Sequence, residues 1–202
     1  MSASSTDNDY FEALYRDNDD PWAMRSRWYE RRKRALLLAC LPREHYGSIF
    51  EPGCATGETS LALAPRCDYL LSYDMNERAV GLTRGRLEGI PYAHVRQGAL
   101  PGSWPTESFD LIVLNELGYY LSASDLAQVI QQSLASLNPG GQLVACHWRA
   151  PIDGVPLSAE QVHEHLDAQL GMHKTVCHVE ADFLMEVWCE QRNSVAELDG
   201  LR

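Results

Sequence analysis

The run Ile49-Phe50-Glu51-Pro52-Gly53-Cys54-Ala55-Thr56-Gly57 constrains this chain more than any other stretch. It reads as a buried strand ending on a carboxylate, a glycine turn, and the first residues of a helix. In an open α/β sheet, ligands bind at the carboxyl ends of the strands, and a glycine turn there lets the backbone approach a bound molecule. The GxGxxG of a dinucleotide site is missing, since only Gly53 and Gly57 are present. Glu51 adds a negative charge at the mouth of the turn, which repels a pyrophosphate and attracts an ammonium group.

S-adenosylmethionine carries an ammonium and a sulfonium and has no phosphate. Seventeen residues after Gly57, Asp74 closes a second strand-like run, Tyr69-Leu70-Leu71-Ser72-Tyr73, where a carboxylate can accept both ribose hydroxyls. Either acid alone fits an ordinary solvated turn. The two together, at this spacing, point to a methyl-donor site.

With 202 residues, the chain has room for one domain with a sizeable core and little room for two. A formal net charge of -11 argues against a nucleic-acid groove and favours a cationic or neutral small-molecule partner. The opening residues carry neither a basic nor an apolar leader segment, and no apolar run is long enough for a bilayer, so a soluble, cytoplasmic protein without a membrane partner is expected. Six cysteines without a CxxC pair lie mostly in apolar segments, as buried free thiols do; no metal site is expected.

Residues 1–7 are small and polar and are expected to be disordered. A short amphipathic helix is expected over 9–15, ended by Asp17-Asn18-Asp19-Asp20-Pro21 and followed by Trp22. A stronger helix spans 25–41, where Tyr29, Lys33 and Leu37 share one face and the arginines form a solvated one. Helices over 58–65 and over 76–87, the latter capped by Asn76, flank a sheet. A strand over 92–96 leads to a loop where Gln97 or the backbone of Ala99 can meet an adenine. The apolar run 109–114 is a central strand that delivers Asn115, Glu116, Tyr119 and Tyr120 to the same sheet edge as Glu51 and Asp74. A helix capped by Ser122 or Ser124 runs to Asn138-Pro139-Gly140-Gly141, and a strand over 142–146 delivers His147 and Trp148. A helix over 158–170 and a hairpin of strands over 174–179 and 183–189 complete the chain, with His163 and His165 placed on the surface. The alternation defines one doubly wound, Rossmann-like α/β domain with a mainly parallel sheet. Its parts are N-terminal helices over 8–45, a core over 46–190 and a tail over 191–202.

The runs EPGCATG, FDLIVLNELGYYL and LNPGGQLV, together with Asp74, resemble class I S-adenosylmethionine-dependent methyltransferases. Within that group, Asp19-Asp20-Pro21-Trp22, Tyr29-Glu30-Arg31-Arg32-Lys33 and Glu116 with Tyr119-Tyr120 resemble the nodulation protein S type. The resemblance covers about Tyr10 to Trp148 and fades afterwards. It implies a seven-stranded sheet whose last strand is antiparallel, and an N-terminal lid in which Trp22 covers the donor and Lys33 holds its carboxylate. It also implies a donor site built from Glu51, Gly53, Cys54, Ala55, Gly57, Asp74, Met75, Ala99, Asn115 and Glu116, with S-adenosylhomocysteine as product. Founding members of the type N-methylate the free amine of a deacetylated chitin-type oligosaccharide. Two departures, Gly118 and the pair His147-Trp148, suggest a different acceptor pocket.

Methyl transfer to an amine needs a neutral nucleophile and a group that takes its proton. Glu116 and His147, each at the end of a central strand, are the candidate bases, while Tyr119, Tyr120 and Trp148 could hold a sugar ring or a cationic amine. The function expected is N-methylation of a small-molecule acceptor such as an amino sugar. O-methylation of a small metabolite and donor binding without turnover are the alternatives.

Overall fold

The computed structural model describes residues 4–202. Two helices, α1 (Asn8–Tyr15) and α2 (Trp28–Cys40), precede the alternating part. There β1 (Tyr46–Pro52), α3 (Glu58–Leu63), β2 (Cys67–Asp74), α4 (Glu77–Arg86), β3 (Ala93–Gln97), β4 (Phe109–Asn115) and α5 (Ala123–Ser136) follow in order. The chain continues through β5 (Leu137–Trp148), α6 (Ala159–Leu170), β6 (His173–Val179), β7 (Phe183–Cys189) and a short α7 (Val195–Leu198) in the expected tail.

The seven strands form one sheet in the order β3-β2-β1-β4-β5-β7-β6. Strands β1 to β5 pair in parallel, and β7 is antiparallel to both β5 and β6. The chain order reverses between β1 and β4, so the carboxyl ends of these two strands border the crevice where such sheets bind ligands.

The two faces follow from period-two alternation along buried strands. Ile49, Leu111, Val113, Val144 and Cys146 pack with Leu37 of α2 and Leu63 of α3. Phe50, Ile112, Leu114, Leu143 and Ala145 pack on the opposite face with Leu126 and Ile130 of α5 and Val162 and Leu166 of α6. By the same alternation His147 points to the α6 side, a placement with consequences below.

Helix boundaries answer to local chemistry. Asn76 caps α4 by accepting from the Arg78 and Ala79 amides at 3.0 and 3.3 Å, and Ser158 forms a reciprocal capping box with Gln161 at the start of α6. Helix α5 opens on Ser122, and β5 begins at Leu137 rather than after the glycines. The expected disorder of residues 1–7 needs correcting for part of its length; residues 1–3 lie outside the described residues. The Thr6 amide donates to the Tyr120 carbonyl at 2.7 Å, Ser5 bonds to Asp125, and Asp7 caps α1.

Candidate active site

The glycine turn is folded back onto the end of β2. Amides of Gly53 and Cys54 donate to the Tyr73 carbonyl at 2.7 and 2.9 Å, and the Ala55 amide donates to Asp74 Oδ2 at 3.0 Å. The turn carries positive φ at Gly53 (75°), Ala55 (48°) and Gly57 (76°). At Gly57 a Cβ would also meet the Thr83 backbone at 3.0 Å, so glycine serves both conformation and packing there.

The two acids of the donor hypothesis sit differently. Asp74 lies at the strand end, with Oδ1 accepting from the Asn76 amide at 2.9 Å; burial raises its pKa, and its backbone hydrogen bonds oppose that. Glu51 is 2% exposed and accepts from the hydroxyls of Ser60 and Ser72. Burial pushes its pKa up to about 7, against the pull of those two hydroxyls.

Between α1 and α2 runs a strap, residues 16–27, that explains the Asp-Asp-Pro-Trp element. Asp20 closes a turn by accepting from the amides of Met24 and Arg25 at 2.7 and 3.1 Å, while Asp19 holds Arg78 of α4 through two bonds. Trp22 stacks edge-on against Tyr15, their ring centroids 5.8 Å apart. Tyr15 is 6% exposed, and its hydroxyl has no hydrogen-bond partner. Burial and the nearby Asp74 keep that hydroxyl protonated. An orphaned donor beside a strand-end carboxylate suits a polyhydroxylated ligand, so the residues present fit an adenosyl group. A cleft of about 610 Å³ lined by Tyr15, Asp19, Asn76 and Arg78 opens on this side, and neither Glu51 nor Glu116 lines it.

Glu116 is the best-determined side chain of the site. Its φ is +54°, and its carboxylate is held on both oxygens. Oε2 accepts from the Tyr119 hydroxyl at 2.5 Å and from the Trp148 amide at 2.9 Å, while Oε1 pairs with Lys33 Nζ at 2.5 Å. Lys33 is 5% exposed, lies 3.2 Å from Glu30 and sits 5.0 Å from the centre of the Tyr29 ring. Tyr29, Lys33 and Leu37 therefore do share the inward face of α2. Lys33 is paired with Glu30 and Glu116.

Several expectations at this edge are corrected. His147 is fully buried; Nε2 accepts from the Gly118 amide at 3.0 Å, and Nδ1 meets His163 at 3.0 Å. Burial, then the neighbouring His163 and Lys33, drives its pKa well below the usual range, so both nitrogens are occupied and the ring is not offered to an acceptor. Tyr119 and Tyr120 are 4% and 7% exposed: one supports Glu116, and the other packs against Tyr10 and Phe11 of α1. Trp148, unlike Tyr119 and Tyr120, is partly exposed, and it stacks edge-on with Tyr29 at 5.4 Å. His163, expected on the surface, is 3% exposed because it faces β5 and β7. The basic cluster of α2 is less solvated than expected: Arg32 holds Glu180 through two bonds, and Arg25 and Arg34 approach Glu58 with Arg86.

The remaining donor-side residues, Cys54, Met75, Ala99 and Asn115, lie at or just beyond the ends of β1 to β4. The Gln97 amide donates to the Met75 carbonyl at 3.0 Å, and the Ala99 carbonyl accepts from the Ser103 amide. Among the described residues all six cysteines are free, no cluster of His, Cys, Asp and Glu is placed to hold a metal ion, and no helix is long and apolar enough to cross a membrane.

Comparison with known proteins bears on the family and the fold. A nodulation protein S from Rhizobium tropici is 32% identical over 141 residues, covering 68% of this chain; the chain spans 59% of that relative's length. A proposed methyltransferase of known structure from Pseudomonas syringae is 54% identical with a TM-score of 0.73, the match covering 81% of this chain and 99% of that one. The N-methyltransferase NodS from Bradyrhizobium japonicum, solved with S-adenosylhomocysteine, is 29% identical with a TM-score of 0.76, covering 91% of this chain and 98% of that one. The family model for nodulation protein S matches residues 6–171, from the start of the strap-bearing region through α6, and the chain belongs to the nodulation protein S family of class I S-adenosylmethionine-dependent methyltransferases.

Proposed function

We propose that this protein transfers a methyl group to the neutral amine of a small acceptor, with Glu116 on the acceptor side. The observation that carries this is the environment of Lys33 Nζ. Glu116, Glu30 and the Tyr29 ring already surround a primary ammonium, and this group of charges is net negative. Such a site favours an amine over a carboxylate. A carboxylate acceptor, as the O-methylation alternative requires, finds less free positive charge here, because Arg25 and Arg34 are paired with Glu58 and Arg32 with Glu180. The solved relative is an N-methyltransferase, and the amine of an amino sugar is the acceptor class that the family resemblance suggests. Free thiols throughout fit a reducing, cytoplasmic setting.

S-adenosylmethionine, when bound, supplies an electrophilic methyl group on sulfur. On the donor side, Asp74 would accept ribose hydroxyls, Glu51 would balance the donor ammonium, the turn at Gly53–Gly57 would permit close approach, and Tyr15 and Trp22 would exclude water. On the acceptor side, Oε2 of Glu116 is filled by Tyr119 and the Trp148 amide, whereas Oε1 has Lys33 as its one partner among the described residues, so Oε1 is the oxygen that accepts an N–H of the acceptor and takes its proton once the N–C bond has replaced the methyl–sulfur bond. Trp148 and Tyr29 flank the approaching group. Alignment of this kind is worth roughly 7 to 11 kcal/mol of barrier.

Two variants test the division of labour. Asp74→Ala should weaken donor binding by about 100-fold or more in calorimetry, whereas Glu116→Gln should keep donor affinity and lower the rate of S-adenosylhomocysteine release by about 100-fold. Equal loss of donor binding in both variants would contradict the assignment. A panel of amines, amino sugars and carboxylates decides the acceptor class, and turnover confined to carboxylates would overturn the amine reading.

A further inference from the structure

A chain of side chains runs from the back of Glu116 along the α6 face of the sheet toward its β6 edge, and methyl transfer as described makes no use of it. It begins at Gly118, whose amide donates to His147 Nε2 at 3.0 Å. It continues from His147 Nδ1 to His163 Nε2 at 3.0 Å, and from His163 Nδ1 to Glu186 Oε2 at 2.7 Å. Glu186 Oε1 in turn accepts from Lys174 Nζ at 2.6 Å and from the Cys177 thiol at 3.3 Å. Both histidines and Glu186 are at most 4% exposed.

Donor and acceptor chemistry sets the direction of every link. A backbone amide only donates, so His147 Nε2 must carry a lone pair, and the neutral ring then keeps its proton on Nδ1. That proton points at His163 Nε2, which must accept, so the His163 proton also lies on Nδ1 and faces Glu186. The carboxylate at the far end, anchored by Lys174, is the group that makes this orientation favourable. Reversing the chain would set an Nε2 proton of His147 against the Gly118 amide.

The same strand grips this turn at three consecutive positions. The Cys146 carbonyl accepts from the Glu116 amide at 2.8 Å, the His147 ring accepts from Gly118, and the Trp148 amide donates to the Glu116 carboxylate. Glu116 occupies the left-handed region, at a cost of roughly 1 to 2 kcal/mol for a non-glycine residue, and needs such a grip. Gly118 is shaped by the same contact, because a Cβ there would lie 2.5 Å from Val162 Cγ1 and 3.0 Å from His147 Nε2. The two departures from the family pattern, Gly118 and His147, are thus two halves of one interaction.

We propose that His147 and His163 are positioning residues, a pair of neutral Nδ1–H histidines that hold the turn after β4 and thereby fix Glu116 in its pose for methyl transfer. This rests on Glu116 being the acceptor-side base. It separates the pair from proton transfer with the acceptor, since both rings are buried and both nitrogens of His147 are taken by Gly118 and His163.

Long-range proton–nitrogen spectra of the full-length protein with S-adenosylhomocysteine read the tautomers directly. Two histidines should show Nδ1–H and an unprotonated Nε2; an Nε2–H form at His147 would overturn the proposal. In kinetics, His147→Leu should lower kcat by about ten- to a hundredfold while leaving the KM of the acceptor and the donor affinity within about twofold. His147→Gln, which restores an acceptor for Gly118, should recover most of that loss, and a glutamine variant no better than leucine would also overturn it. Full activity of Glu116→Gln would remove the base assignment without touching the tautomers, so the two ideas fail separately.

Discussion

Glu51 makes the donor site sensitive to pH. Its pKa is 4.5 as an ordinary glutamate and about 7 in the folded protein, because the buried carboxylate has two serine hydroxyls and no cation. A folded pKa above the unfolded one means that the folded state holds the proton more tightly. Its contribution is whole below pH 4.5 and is lost as pH rises through about 7. Between these limits the ligand-free protein should lose about 3 kcal/mol of stability from this group, measurable by urea unfolding at a series of pH values. Glu51→Gln should flatten that slope, and an unchanged slope would assign it to other groups. Single side chains were unevenly legible in the sequence. The inward turn of Lys33 followed from its spacing with Tyr29 and Leu37. His163 was missed although Ala159, Leu166 and Leu170 place it on the apolar stripe of α6, because its partners His147 and Glu186 are distant in sequence. An acid inside the apolar run Phe183–Cys189 was the remaining signal for that pairing.

Helix α4 shows how one residue can set a boundary and a tertiary contact together. Asn76 caps the helix with its side-chain oxygen and donates its amide nitrogen to Asn8 Oδ1 of α1 at 3.2 Å. Asn76→Ala should cost about 1 to 2 kcal/mol in thermal unfolding, and Asn76→Asp, which keeps the capping oxygen, should recover most of it. Equal loss in both would shift the weight to the contact with α1. Elements with a cap or a strong apolar run, such as α4, α6 and β4, were readable to within a residue or two. Strand β5 was not, because Asn138-Pro139-Gly140-Gly141 reads as a turn, whereas in the fold this segment is continuous with the strand that begins at Leu137 beside Phe109 of β4. The arginines of α2 misled for a similar reason: their partners, Glu58 and Glu180, belong to distant segments, and no local pattern announces them.

In the molecule as a whole, the N-terminal strap is the part expected to move if it acts as a lid over the donor. It stacks Trp22 on Tyr15, is pinned to α4 through Asp19 and Arg78, and is pinned to α3 through Arg25 and Glu58. The exposed Arg78–Asp19 pair contributes little, so the strap can open without unfolding the core. Saturating S-adenosylhomocysteine should slow trypsin cleavage after Arg16, Arg25 and Arg27 by about tenfold or more, and equal rates with and without ligand would show that the strap does not close over it. Lys33 sits just beyond this strap, bound to the oxygen that an acceptor would use. Its ammonium is tethered, so an incoming amine meets a resident rival whose effective concentration is on the order of millimolar or above. Ammonia and short alkylamines have only their charge to set against it. An acceptor that also lays a ring against Trp148 and Tyr29 gains contacts Lys33 does not supply, and selectivity for a larger amine follows from a competitor the protein carries within itself.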